Sequence, residues 1–165
     1  MMMPTQSTGA GRFAAFDLSR VPSPCFVIDE VTLSENLAIL KAMGAAAHID
    51  ILLALKAFSM WELAPLISMY LGGCCASGLW EAKLAHDRFG GHVSTYAPAF
   101  KSSEIAEIAR LSNHVIVNTP QQAARFTKQI AASNAELGLR VNPMHSEGQV
   151  AKYDPCAVSY THLTL

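Results

Sequence analysis

The chain has 165 residues, 51% of them hydrophobic and 15% charged, with a formal net charge of −1. That length supports one core and is short for two ordinary domains. A near-neutral balance without basic runs gives no footing for nucleic acid or an anionic membrane surface, so small molecules and other proteins are the expected partners.

The first residues, 1 to about 20, are small and polar and read as a frayed lead-in. They lack the basic start and long apolar run of a secretory signal, and no stretch approaches the roughly 18 apolar residues of a membrane span. "PCFVI" then reads as a strand. Thr32 and Glu35 have capping-box spacing, ahead of a helix whose Leu33, Leu37, Leu40 and Met43 recur on one face.

"ILLAL" is the next strand, followed by a second capping-box pair, Ser59 and Glu62. "CCAS" and "HVSTY" continue the series. The helical stripe Ile105, Ile108, Leu111 comes next, and then the strand "HVIVN". Thr119 and Gln122, with Pro120 at the favoured first position, open a helix carrying Ala123, Phe126 and Ile130, and "LGLRV" closes the pattern.

Strand and capped helix alternating at intervals of roughly 20 to 25 residues is the signature of a parallel α/β sheet. The near-continuous apolar runs "ILLAL" and "HVIV" fit strands covered on both faces. No G-x-G-x-x-G or G-x-x-x-x-G-K-[ST] occurs, which removes support for a dinucleotide or P-loop site. A (β/α)8 barrel fits the repeat but takes about 250 residues, so the expected fold is a partial barrel, its N-terminal half. A complete five-stranded doubly wound domain is the alternative.

Lys56, at the end of "ILLALK", interrupts an apolar run just before Ser59. The C-terminal edge of parallel strands is where such folds place their chemistry. A lysine there can simply snorkel into solvent. It can also be kept partly desolvated, so that its neutral amine attacks an aldehyde to form a Schiff base. Position alone leaves both readings open.

Cys25, Cys74, Cys75 and Cys156 include one vicinal pair and no C-x-x-C, which fits neither a disulfide framework nor a zinc site and suggests a reducing, cytoplasmic setting. Cys74 and Cys75 read as small buried-strand residues without a cationic neighbour. His86 and His92 flank a helix-to-strand turn and are expected to be solvated.

The words "PSPCFVIDEVTLSENLAIL", "ILLALKAFSMWELAPLI", "CCASGLWEAKLAHDRFGGHVSTYAPAFKSSEIAEIA", "HVIVNTPQQAARF" and "LGLRVNPMHSEGQVAKYDPC" together resemble the carboxynorspermidine (carboxyspermidine) decarboxylase family. That family has the pyridoxal-phosphate-binding, alanine-racemase-like barrel, alongside diaminopimelate and ornithine decarboxylases. The resemblance runs from about Val21 to Cys156; "LALKAF" and "RVNP" carry the superfamily, "SPCFV", "YAPAFK" and "NPMHSEG…YDPC" the narrower family.

The resemblance implies a pyridoxal 5'-phosphate cofactor held by Lys56. It gives Arg140 an electrostatic or positioning role beside that cofactor, where the residues alone also allow a structural ion pair. Ser77 and Glu81 match a cofactor-side strand end, Ser77 as a candidate cofactor contact, although the residues themselves favour an N-cap and a helix-face charge. His145 and Glu147 lie in a polar loop and carry no assigned role. The implied reaction is decarboxylation of carboxynorspermidine or carboxyspermidine to a polyamine, by a homodimer with shared active sites.

The phosphate-holding loop, the partner of the pyridine nitrogen and the second-subunit residues belong to a later part of the family pattern. Residues 21–157 are thus expected to be the N-terminal part of the barrel in a truncated chain inactive alone, with "VSYTHLTL" at 158–165 as a foreign tail. The competing class is a small, non-catalytic pyridoxal-phosphate homeostasis protein with a single barrel and the same strand-end lysine.

Overall fold

The computed structural model describes residues 13, 16–142, 145 and 147. The tail at 158–165, Cys156 and most of the lead-in lie outside them.

Asp29 sets where the first long helix begins. Its carboxylate accepts the backbone N–H groups of Val31 (3.0 Å) and Thr32 (3.1 Å) and the Thr32 hydroxyl (2.9 Å). Helix α1 therefore spans Glu30–Ala47, and the expected Thr32/Glu35 box falls inside it. An aspartate that satisfies two orphan N–H groups and a hydroxyl outcompetes a threonine one turn on. His48, in the left-handed region at φ 54°, ends the helix. Leu37 and Gly44 are buried and Leu33 packs against the core, whereas Met43, expected on the buried stripe, is 59% exposed.

"PCFVI" is not a strand. Phe26 is 96% exposed, and no strand among the described residues pairs with this segment, so its backbone has no ladder to join.

Five strands form one parallel sheet in the order β1-β2-β3-β4-β5. They are β1 Leu52–Ala54, β2 Gly73–Ala76, β3 His92–Tyr96, β4 His114–Val117 and β5 Glu136–Leu139. The intervening helices are α2 Ala64–Ser68, α3 Leu79–Leu84, α4 Ile105–Leu111 and α5 Pro120–Ala131, with a π turn over Ala85–Phe89 extending α3. Among the described residues each strand pairs only with its neighbours in sequence. A doubly wound sheet must reverse its strand order somewhere, and this one does not, so the architecture is that of a partial (β/α)8 barrel.

Alternate strand residues face the helices and build the core. Val115, Val117, Ala76, Ile105, Ile108, Phe126 and Ile130 form one cluster; Cys74, Val93, Leu55, Ile67, Phe89 and Leu37 form another. Each large aliphatic or aromatic side chain buried there contributes about 1.5–3 kcal/mol. Thr95 and Ser112 are buried among them, and their hydroxyls satisfy one another at 2.8 Å.

Gly73 has φ +154°, and a Cβ there would collide with the backbone of His92. Its absent side chain lets β2 and β3 start in register.

Of the other expected caps, Thr119 accepts the N–H of Gln122 at 3.2 Å with Pro120 in the first turn, as its spacing implies. Ser59 and Glu62 do not form a box: a short 3-10 turn, Trp61–Leu63, begins after Met60 and runs straight into α2. Ser77 is not an N-cap either, because α3 starts one residue later, after Gly78.

Candidate active site

In a parallel sheet every strand ends at the same edge, so the residues following β1 to β5 converge there whatever the helices do. Leu53 and Leu55 pack on the helix side of β1, and Cys74 and Ala76 do so from β2. The alternation leaves Ala54 and Cys75 on the concave face, opposite one another in register.

Lys56 lies in the turn that ends β1, a turn fixed by Ala57 and Phe58 N–H groups bonding the Ala54 carbonyl at 2.9 and 3.2 Å. It is exposed and has no hydrogen bond or ion pair among the described residues. Burial pushes the Cys75 thiol up, and the Lys56 ammonium opposes that rise, so the lysine's charge reaches the concave face. The expectation that Cys75 has no cationic neighbour is corrected by this pairing. Cys75 is also exposed rather than buried, because its strand position turns it away from the helices.

Across the sheet the ends of β3, β4 and β5 meet. Arg140 Nη1 donates to the Tyr96 hydroxyl oxygen (3.1 Å) and to Asn118 Oδ1 (3.3 Å), and the Tyr96 hydroxyl donates to the same Asn118 oxygen (3.1 Å). The guanidinium carbon stands 5.7 Å from the Tyr96 ring centroid. Asn118 is held in turn: its N–H donates to Gln122 Oε1 (2.9 Å), and Gln122 Nε2 donates to the Pro98 carbonyl (2.8 Å). Arg140 is thus a half-buried cation tied to neutral acceptors, and no carboxylate ion-pairs with it among the described residues.

Sequence reasoning assigned Tyr96 and Asn118 no role. Both are polar residues at strand ends, the position that drew notice to Lys56 and Arg140, and the same signal would have found them. Ser77 is exposed at the end of β2, and its backbone N–H donates to Glu81 Oε2 at 2.7 Å. That bond makes Glu81 the clamp of the β2–α3 turn. His145 and Glu147 are exposed and 3.8 Å apart.

His86 is exposed beside Asp87, whereas His92 is not solvated as expected: it is half-buried, with Nε2 3.1 Å from His114 Nδ1. It opens β3 at the sheet edge opposite Lys56. A cleft of about 480 Å³ lined by Lys41, His48, Asp50 and Tyr70 also opens toward that opposite edge, beside the entries to β1 and β2.

No family model matches the chain. It is 39% identical over 139 residues to a carboxyaminopropylagmatine decarboxylase of Synechocystis sp., covering 84% of this chain and 36% of that protein. It is 37% identical over 137 residues to a carboxynorspermidine/carboxyspermidine decarboxylase of Campylobacter jejuni, covering 83% and 35%. A crystal structure of carboxynorspermidine decarboxylase from Campylobacter jejuni, complexed with norspermidine, superposes with a TM-score of 0.73 at 35% identity, over 81% of this chain and 36% of that one.

The chain is homologous to the carboxynorspermidine decarboxylases.

It spans about a third of the length of the curated decarboxylases it matches. D-threonine aldolase from Filomicrobium marinum shares the fold, with a TM-score of 0.66 at 17% identity over 76% of this chain. Because the match to the carboxynorspermidine decarboxylases covers most of this chain, the parallel sheet and its strand-end residues fall largely within the shared region.

Proposed function

We propose that this chain supplies the cofactor-anchoring wall of a pyridoxal-phosphate-dependent decarboxylase of carboxylated polyamines, with turnover belonging to the whole protein. The observation that carries the reading is Lys56, an exposed amine without a hydrogen bond or ion pair among the described residues, at the C-terminal edge of a parallel sheet homologous to such decarboxylases. The residues present fit the cofactor in that respect: an aldehyde needs an unencumbered primary amine at the rim of the sheet, and Lys56 is one.

When bound, pyridoxal phosphate supplies the electron sink that makes loss of carbon dioxide feasible. The chain's own residues do the rest. Lys56 would hold the cofactor through Nζ, and Nζ would carry a proton whenever the substrate's amine takes its place. Arg140 presents a fixed positive charge for an anionic oxygen, its plane set by Tyr96 and Asn118 so that little side-chain freedom is lost on binding. Ser77 offers an exposed hydroxyl at the end of β2 as a further polar contact. The relatives' names cover carboxyaminopropylagmatine, carboxynorspermidine and carboxyspermidine, and the substrate class proposed is what these share: a carboxyl group on a polyamine-like chain.

The test is to add pyridoxal phosphate to the purified chain, reduce with borohydride and map the adduct. A band near the visible edge and a stable adduct on Lys56, both absent in Lys56→Ala, are expected. An adduct elsewhere, or none, would sink the anchor. Carbon dioxide release by the whole protein from carboxynorspermidine and from carboxyaminopropylagmatine then separates a decarboxylase from a homeostasis protein that only stores the cofactor.

A further inference from the structure

The first residues of β3, β4 and β5 are His92, His114 and Glu136. Val93 and Val115, next to the two histidines, are buried in the helix-side core, so alternation puts all three side chains on the concave face, at the edge opposite Lys56. They form a chain of contacts: His92 Nε2 to His114 Nδ1 at 3.1 Å, then His114 Nε2 to Glu136 Oε2 at 3.4 Å. Because they sit on adjacent, hydrogen-bonded strands, the backbone holds this spacing without help from the helices.

The two ring nitrogens are within hydrogen-bond distance, with the rings set obliquely to one another. An N–H···N bond in line with both rings would hold their centroids roughly 5 Å apart or more. They are 4.4 Å apart with planes at 69°, so the nitrogens are presented obliquely to the line between them. Two metal–imidazole bonds of about 2.1 Å meeting near a right angle also put the nitrogens about 3 Å apart. The observed 3.1 Å matches that spacing with no backbone movement required.

We propose that His92 Nε2 and His114 Nδ1 form a two-histidine chelate for a borderline divalent transition ion of the zinc, nickel and copper kind. Glu136 Oε2 stands 3.4 Å from the other ring nitrogen of His114 and so faces it as a carboxylate that orients a ligating imidazole. His114 offers its Nδ1 lone pair to the ion when its proton is on Nε2, and His92 its Nε2 lone pair when its proton is on Nδ1. No group of three ligating side chains converges among the described residues, so water fills the remaining positions. Imidazole ligands and an open coordination sphere favour this ion class over calcium or magnesium, which take oxygen. The site is independent of the cofactor reading, since it lies at the strand starts and Lys56 follows a strand end.

The test is calorimetric titration of the untagged chain with Ni2+, together with paramagnetic broadening of the histidine ring signals. One site of highest affinity is expected, weakened at least tenfold in His92→Asn and in His114→Asn and about tenfold in Glu136→Gln, and unchanged in His48→Asn and His86→Asn. In the unaltered chain the ring signals of His92 and His114 should broaden before those of the other histidines, a readout that does not depend on any variant folding. Affinity that survives either His92→Asn or His114→Asn, or broadening that begins at His48 or His86, would overturn the proposal.

Discussion

Arg140 meets Tyr96 twice, through a 3.1 Å bond from Nη1 to the phenol oxygen and through its guanidinium lying 5.7 Å from the ring centroid. The two contacts can be separated by removing one oxygen. Tyr96→Phe keeps the ring and loses the bonds to Arg140 and Asn118, so it should destabilise the fold by about 1 kcal/mol in urea unfolding. If Arg140 serves the cofactor, the same variant should also bind pyridoxal phosphate more weakly while Lys56 is still labelled. Unchanged binding would assign the cluster to stability alone.

Thr119 both caps α5 and sets the approach of Gln122 to Asn118. Thr119→Ala should cost about 1 kcal/mol in urea unfolding. Thr119→Ser, which retains the accepting hydroxyl, should recover most of that loss.

Cys74 is 1% exposed, and burial first, with the neighbouring Cys75 second, pushes its thiol up to about 11 from an ordinary 9.0. The folded state therefore favours the neutral thiol. The stability this gives is complete below pH 9 and is lost as pH rises toward 11, a loss on the order of 2 kcal/mol. Urea midpoints of the chain should fall steeply across that window, and those of Cys74→Ala less steeply. Parallel slopes would show that Cys74 is not the titrating group.

Lys56 opposes the burial-driven rise of the Cys75 thiol. Removing the ammonium with Lys56→Met should raise that thiol further and slow its alkylation by iodoacetamide at pH 8, with Cys25, exposed and on another segment, as internal reference. Equal rates in both chains would mean that the lysine points away from the concave face.

The five sheet strands were legible because their apolar runs are bounded by turn residues, and the α4 and α5 stripes because Ile105, Ile108, Leu111, Phe126 and Ile130 repeat at helical spacing. "PCFVI" misled for a physical reason: its composition suits a strand, but a strand exists only where another backbone pairs with it. The caps at Thr32 and Ser59 failed because spacing alone does not show that Asp29 competes for the same N–H groups or that a 3-10 turn absorbs the start of α2. Lys56 and Arg140 stood out as strand-end cations. Tyr96 and Asn118 act on Arg140 from 44 and 22 residues away, and that closeness exists only once β3, β4 and β5 are side by side. His92 was misjudged likewise, since its partner begins the next strand.

The strictly sequential strand order sets a length scale. Lys56 follows β1 and Arg140 follows β5, with four strand intervals between them. Along a flat sheet those intervals would amount to about 19 Å, further than a small cofactor spans. The reach from amine to guanidinium is therefore governed by how tightly the sheet curls and not by any bond at either end. Curvature here is a property of every inter-strand seam, the Gly73–His92 pairing among them, so a substitution at the far edge that flattens one seam would move the two charges apart without touching either.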